Sequence, residues 1–375
     1  MKQQAPDTGD SKAEGKASPL YLAIFDALRA EIEQGGYLKA FPSEAQLVRR
    51  FAASRQTVIQ AMRELVKAGL VERHRGSGTV VSRRIRQLLG RVGLILPGCF
   101  DAPFTDAFSE VCKEVGYTFK FSCFDEFYSQ YSVPFAKCAQ AVSSLAREFA
   151  EENVLGVLLH PVQQVANAER INREILAEFR SRRIPVVLVD HDVCLPPEKS
   201  GCDVVGMDNF HAGYIIGRHL VERGAKKIAF LTHDNWAPSV MDRLHGVAAA
   251  VSDAGLAWNP SANVIHSLPD DAKSVTRAIR ALHPDAIACG NDVEAARLLK
   301  TLAKLGISVP GDIRVTGVDD LPQVKLLSPP LTTLRQGAVQ IARVAAERLI
   351  WRIHHPFEPP VTIQTHGQLI VRKST

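Results

Sequence analysis

From Val92 onward the chain repeats short, near-continuous apolar runs of four to six residues with helical stretches between them, and that alternation admits few folds. The runs are Val92–Leu96, Val154–Leu159, Val186–Val189, Val204–Met207, Ile228–Leu231, Ala286–Cys289 and Arg314–Val318. A strand that is apolar on both faces needs cover on both, as in a parallel sheet with helices above and below it. One intervening stretch, Phe210 to Arg223, places Ala212, Ile215, Ile216 and Leu220 at helical spacing, begins at Asp208-Asn209 and ends at Gly224. This part of the chain is expected to be α/β.

The first 90 residues follow a different pattern. Residues 1–18 are polar, without apolar periodicity, and are expected to form a disordered tail. Leu20, Ile24, Ala27, Leu28 and Ile32 then mark a helix that stops at Gly35-Gly36. Ser43 is placed to cap a second helix with a Leu47/Phe51 stripe. Ser54 caps a third, with Val58, Ala61, Met62 and Leu65 inward and Gly69 at its end. Two short helices with a tight turn between them make a helix-turn-helix. Leu70–Arg73 and Thr79–Val81 follow as strands joined by Arg75-Gly76-Ser77-Gly78, a basic, flexible wing. The expected organisation is a winged helix-turn-helix over 19–82, a basic linker over 83–90 and the α/β domain over 91–375. A chain of 375 residues, 46% hydrophobic, can build both cores.

Charge separates the two parts. Residues 1–90 hold 15 Lys and Arg against 9 Asp and Glu, whereas the other 285 hold 30 against 31. Residues 37–90 alone carry 11 basic and 3 acidic side chains, an excess suited to DNA phosphates. Arg55, Gln56 and Thr57 occupy the first turn of the third helix, off its buried stripe, where a recognition helix reads base edges. Ser43 and Ser54 stand at helix N-termini, whose free N–H groups suit phosphate. Arg75 and Gly76 would bring charge and a close backbone to a groove wall.

In the α/β part, open sheets bind ligands beyond the carboxyl ends of their strands. Asp101 and Phe104 follow Val92–Leu96, Asp190 follows Val186–Val189, Trp236 and Arg243 follow Ile228–Leu231, and Asn291-Asp292 follow Ala286–Cys289. Carboxylates, an Arg and aromatic faces are what a polyhydroxylated ligand needs. Asp101, Phe104, Asp190, Trp236, Arg243 and Asp292 are therefore the candidate effector-binding residues. Asp208-Asn209 reads as a helix cap.

The run from PLY at 19–21 through FPSEAQL, SRQTV, AGLVER and RGSGTVV resembles the GntR-type winged helix domain over its whole length. That resemblance implies DNA contacts at Ser54, Arg55, Gln56, Thr57, Arg75 and Gly76. Ala45 and Ile59 stand where the family often has arginines, so the operator is expected to differ from the family's. MDNFHAGYIIGRHLVERGAKKIAFL at 207–231, RLHGV at 243–247, PDAIACGNDVEAA at 284–296, GISVPGDIRVTGVDD at 306–320 and SPPLTTLRQ at 328–336 resemble the effector-binding domain of LacI/GalR regulators. This implies two periplasmic-binding-protein-like lobes with Rossmann-like parallel sheets. Lobe one would span about 91–190 and 323–351, and lobe two about 191–322 and 352–375. It places Arg243 and Asp292 at the family's main effector positions and matches Asp190 and the Phe104 loop to further ones. A GntR-type head on a LacI-type body is the arrangement of the arabinose-responsive AraR group, although arabinose itself is not implied.

Together these features point to a ligand-responsive transcription regulator, a repressor, that binds double-stranded operator DNA as a homodimer and responds to a sugar or sugar derivative. An enzyme is disfavoured: there is no GxGxxG after a strand and no GxxxxGKS/T, GxSxG or HExxH motif. A transport-type solute-binding protein would share the body, but not the basic head. The polar start lacks a signal peptide's apolar core and no stretch approaches a membrane span, so a cytoplasmic protein away from membranes is expected. No cofactor is expected. Seven scattered cysteines suggest reduced thiols, and His191, Asp192, Cys194 and Cys202 match no zinc spacing, so no metal site is expected.

Overall fold

Capping serines set the starts of two helices in the first of two units, Met1–Gly90 and Arg91–Thr375, into which the chain divides. In this computed structural model the described residues are 19–33, 36–38, 40–74, 78–82, 84–85, 90–97, 102–124, 135–152, 154–163, 167–195, 197–232 and 237–375. The expected tail at 1–18 and most of the expected linker, Arg83 and 86–89, lie outside them.

The first unit comprises α1 (Leu20–Glu33), α2 (Glu44–Phe51), α3 (Arg55–Lys67), β1 (Val71–His74) and β2 (Gly78–Val81). Ser43 forms a capping box: its oxygen accepts from the Gln46 N–H while its own N–H donates to the Gln46 side chain at 2.8 Å. Ser54 accepts from the Thr57 N–H at 3.1 Å to start α3. Ala52 (φ 46°) makes the left-handed turn between α2 and α3. The helices bury Ile24, Leu28, Ile32, Leu47, Val58, Ala61, Met62 and Leu65 against one another. Arg50 ties α2 to α1 through Glu31 at 3.0 Å, and Arg73 ties β1 to Glu44 of α2, also at 3.0 Å. β1 and β2 pair antiparallel from Val71–Val81 to His74–Gly78.

In the second unit the order is β3 (Arg91–Pro97), α4 (Ala102–Glu114), β4 (Thr118–Phe124), α5 (Phe135–Glu151), β5 (Val157–Leu159), α6 (Ala168–Ser181), β6 (Val186–Val189) and β7 (Asp203–Met207). Then come α7 (Asn209–Glu222), β8 (Ile228–Thr232), α8 (Pro238–Asp253), α9 (Pro260–Asn263), β9 (Val264–His266), α10 (Ala272–Leu282), β10 (Ala286–Cys289), α11 (Asp292–Lys304) and β11 (Arg314–Asp319). A 3-10 helix at Pro322–Leu326, β12 (Thr332–Arg335), α12 (Ala338–His354), β13 (Thr362–Thr365) and β14 (Gln368–Ile370) complete it.

Two six-stranded sheets result, each the base of one lobe. The first, ordered β13-β7-β6-β5-β3-β4, is parallel throughout. The second, ordered β14-β12-β11-β10-β8-β9, is parallel except where β14 pairs antiparallel with β12. The apolar runs are buried as two-sided strands must be: every residue of β6 and of β10 is buried. Ile95, Phe149, Leu159, Phe179 and Leu188 centre the first core, and Leu231, Ile287, Leu298, Val315 and Leu331 the second.

The chain passes between sheets three times: between Met207 and Asn209, between Arg335 and Ala338, and between Thr365 and Gln368. This corrects the expected lobe limits. Residues 203–207 and 362–365 belong to the first sheet rather than the second lobe, and 332–335 belong to the second sheet rather than the first. The cause is pairing: β7 is wholly buried between β6 and β13, so the chain cannot leave the first lobe before Asp208.

Asp203, at the start of β7, holds this arrangement together. It is 1% exposed and accepts from Arg348 Nη2 at 3.0 Å, Arg352 Nε at 2.7 Å and the Val361 N–H at 2.8 Å. One carboxylate thereby joins β7, α12 and the approach to β13. In the second lobe α7 and α8 touch backbone to backbone. A Cβ on Gly246 would lie 2.0 Å from the Phe210 carbonyl oxygen, and one on Gly213 1.9 Å from that of Arg243. Only glycine permits that approach, and it fixes where Arg243 stands.

Candidate functional site

In the first unit the N-terminal turn of α3 presents Ser54, Arg55 and Gln56 exposed, with Thr57 half-buried. The Ser54 hydroxyl lies 2.8 Å from that of Thr57 besides capping the helix, so both are partly committed to local structure. Arg55 and Gln56 are solvent-facing. The Ser43 hydroxyl is occupied on both sides by Gln46, accepting its N–H and donating to its side chain at 2.9 Å. What α2 can offer a phosphate is therefore its N-terminus rather than that hydroxyl. Arg75 and Gly76 lie outside the described residues, between β1 and β2.

In the second unit the carboxyl ends of the two sheets meet around Asp190. That residue follows β6 in the left-handed conformation (φ 75°), which aims its carboxylate at the other lobe. Oδ2 accepts from the Ser239 hydroxyl at 2.8 Å, at the start of α8, and Oδ1 accepts from Asn209 Nδ2 at 3.4 Å, at the start of α7. Asn209 Oδ1 in turn accepts from Arg243 Nε at 2.8 Å, and Arg243 Nη1 donates to the Gly290 carbonyl at 2.8 Å. Arg243, 5% exposed, is the hub of a bridge that crosses from lobe to lobe.

Electrostatics follow from this geometry. Burial pushes Asp190 up, but the fields of His191 and Arg243 and the Ser239 hydrogen bond outweigh it and hold the carboxyl below its usual range. Asp319, at the end of β11 with φ 122°, is pushed above that range by burial, with Arg243 pulling it back. Gln336 donates to its Oδ1. Beside Asp190, the buried His160 is driven down to about 4 by desolvation, so it is neutral at pH 7, and its ring stands 6.1 Å from that of His191. A cation, two acids, two amides, a hydroxyl and imidazoles thus line the junction, a set that can satisfy several hydroxyl groups at once.

The six expected effector residues separate. Asp190 and Arg243 come together in the bridge. Asp101 and Trp236 lie outside the described residues. Phe104 is fully buried inside α4 and presents no surface to a ligand in this conformation, because the inward face of that helix carries it into the core with Phe108. Asp292 is likewise 0% exposed, and its partners belong to its own lobe: Leu321 N–H at 2.9 Å on Oδ2 and Thr333 Oγ1 at 2.5 Å on Oδ1. In this conformation it anchors the loop after β11 to β12, so a ligand would reach its carboxylate only by displacing those partners.

Burial and the nearby Asp319 raise the Asp292 carboxyl above the usual range. A carboxyl whose folded pKa is raised loses stability as pH climbs from its unfolded value through the folded one. Asp292→Asn, which can still accept from Leu321 and donate to Thr333, is therefore expected to melt higher than the native chain at pH 8, by about 2–4 °C per kcal/mol relieved. The advantage should shrink toward pH 5; melting curves at the two pH values check it, and an unchanged or lower midpoint at pH 8 would count against a buried charge.

Ser239, Asp319, Gln336 and His160 are not among the six residues expected from the sequence pattern, and Asn209 and His191 stand here in roles other than the cap and the metal grouping considered there. Asp319 ends β11 at the same carboxyl edge where Asp190 follows β6, and directly follows the apolar run Arg314–Val318, so the criterion that selects one fits the other as well. The Asp208-Asn209 pair, expected as a cap, divides its roles. Asp208 is the cap, accepting the His211 N–H at 2.9 Å, while Asn209 turns inward to the bridge. Asp192 has a local role: its Oδ1 accepts from the Cys194 and Ser200 N–H groups and shapes a turn.

Two family models match the chain. "Bacterial regulatory proteins, gntR family" covers residues 20–81, and "Periplasmic binding protein-like domain" covers residues 218–375. The HTH-type transcriptional repressor PurR of Pasteurella multocida is 26% identical over 328 residues, which are 86% of this chain and 90% of that protein. The transcription regulator GntR from Chromobacterium violaceum is similar in structure, with a TM-score of 0.57 and 25% identity, over 76% of this chain and 98% of that one. A CelR–cellobiose complex shares the fold at a TM-score of 0.62 and 19% identity, over 95% and 98%.

Proposed function

We propose, from the premise that this chain carries a gntR-family DNA-binding domain joined to a periplasmic binding protein-like domain, that it is a repressor released or recruited by a small polyhydroxylated effector bound where its two sheets face each other. The observation that carries this reading is the bridge from Ser239 and Asn209 to Asp190, with Arg243 behind it. Groups that pair across the lobes are the ones a ligand entering between them must replace, so ligand binding and lobe closure draw on the same hydrogen bonds. Asp190 and Asp319 can accept hydroxyl protons and Arg243 can donate, which favours a sugar or sugar derivative.

The chain acts as a homodimer, so that two copies of α3 address the two halves of a near-palindromic operator. No helix among the described residues is long and apolar enough to cross a membrane, and a place in the cytoplasm fits a protein that binds DNA. Effector binding changes operator affinity by a coupling energy on the order of 1–3 kcal/mol. Gel shifts with DNA from the protein's own promoter region, with and without sugars that raise its melting temperature, test the reading. Absence of salt-sensitive DNA binding under every condition would leave a solute-binding protein or an enzyme as the alternative. Arg55→Ala is expected to weaken specific binding by about 1–3 kcal/mol and to relax base preference at one position. Equal loss on specific and random DNA would show that Arg55 only contacts phosphate.

A further inference from the structure

The strands β7 and β13 pair in register up to Met207 and Thr365, and both then leave the first lobe for the second. The next residues, Asp208 and His366, are held side by side by an Asp208 N–H donated to the Thr365 carbonyl at 2.9 Å. One turn into α7, His211 folds back over the same spot. Its ring lies 5.2 Å from that of His366 at 84°, and ligand atoms of Asp208, His211 and His366 all lie within 4.8 Å of one another.

Two imidazoles and a carboxylate brought together by different segments form a donor set for a borderline divalent transition metal. A second cluster of ligand atoms, Glu169, Cys194 and Glu198, differs in one respect: Arg173 already binds both of its carboxylates, at 2.7 Å to Glu169 and 2.5 Å to Glu198, supplying the positive charge there. The imidazoles of His211 and His366 supply lone pairs when neutral, and Asp208 uses Oδ1 for its cap, which leaves Oδ2 for a metal.

We propose that Asp208, His211 and His366 form a metal site for zinc or a similar divalent transition ion, clamping two of the three segments that connect the lobes. The ion sits outside the bridge of Asp190 and Arg243. It fixes the spacing of the two crossovers about which the lobes must move, so it stiffens the hinge without touching an effector. Sequence spacing alone does not reveal the site, because His366 comes from a chain segment far from the Asp208–His211 pair, and a lone acid–histidine pair at that spacing is no ligand motif.

Titration of the purified full-length chain with zinc chloride, followed by calorimetry, is expected to show one zinc per chain with micromolar affinity. Loading with cobalt should give visible d–d absorption. His366→Ala and His211→Ala should each weaken zinc binding by at least about tenfold, the lower bound of what even an outer-shell partner costs, while Cys194→Ser leaves it unchanged. His366 stands in a connecting loop rather than a helix, so its variant keeps the test open should His211→Ala fold poorly. Zinc should slow amide hydrogen exchange in peptides spanning 205–211 and 364–370. No zinc binding, binding indifferent to both histidine variants, or binding lost with Cys194→Ser would each overturn the site.

Discussion

Arg243→Ala is expected to destabilise the second unit by about 3–5 kcal/mol, the usual cost of removing one partner from a buried charged network. The substitution leaves Asn209 Oδ1 and the Gly290 carbonyl without their donor, and removes the cation that holds Asp190 down and restrains Asp319. Urea unfolding followed by circular dichroism should show the loss. Gel shifts should show operator binding retained, because the α3 face belongs to the other unit, while the response to effector disappears. Arg243→Lys keeps the charge but not the planar fork and should fall between the two. A variant with native stability and a native effector response would remove Arg243 from the centre of the bridge.

Asp203→Ala should be costly for a different reason. Here an acid is removed and two cations stay behind: Arg348 and Arg352 would be left in the interior of the first lobe, and the Val361 N–H would lose its acceptor. A loss of about 3–5 kcal/mol is again expected. Asp203→Asn, which preserves an acceptor for Val361, should lose less. Because the cluster fastens β13 and α12 to β7, hydrogen exchange should rise first in those elements while the β8–β11 region stays protected. Uniform exposure of both lobes would mean that Asp203 supports the unit as a whole rather than the first sheet.

How much of this could be read from sequence depended on whether the deciding contact was local. Ser43 and Ser54 start helices within three residues of their partners, and the runs at Val186–Val189 and Ala286–Cys289 are strands with the limits their apolar content suggests. Strands such as Thr332–Arg335 and Thr362–Thr365 were missed because they are short and polar, and what makes them strands is the backbone of β11 or β7 beside them. The same limit explains the two acids: Asp190 and Asp292 both follow buried strands, and nothing near Asp292 announces that Thr333 and Leu321 will turn it inward. The left-handed turn at Asp190 and the handover at Met207 are likewise products of sheet pairing, not of neighbouring residues.

The three passages between lobes also set an order of events during synthesis. The strands β5, β6 and β7 emerge from the ribosome well before α12, which packs against them, and before β13, which completes their sheet. At the usual pace of translation, the ~130 residues that separate Met207 from Ala338 occupy roughly 7 to 26 s. Throughout that interval one face of the first sheet lacks its helix and one edge lacks its neighbour, so the nascent chain carries an apolar surface with an open strand edge. The first lobe is begun first yet stays open until α12 and β13 arrive near the end of the chain, so the growing polypeptide carries an exposed apolar face that the finished protein does not.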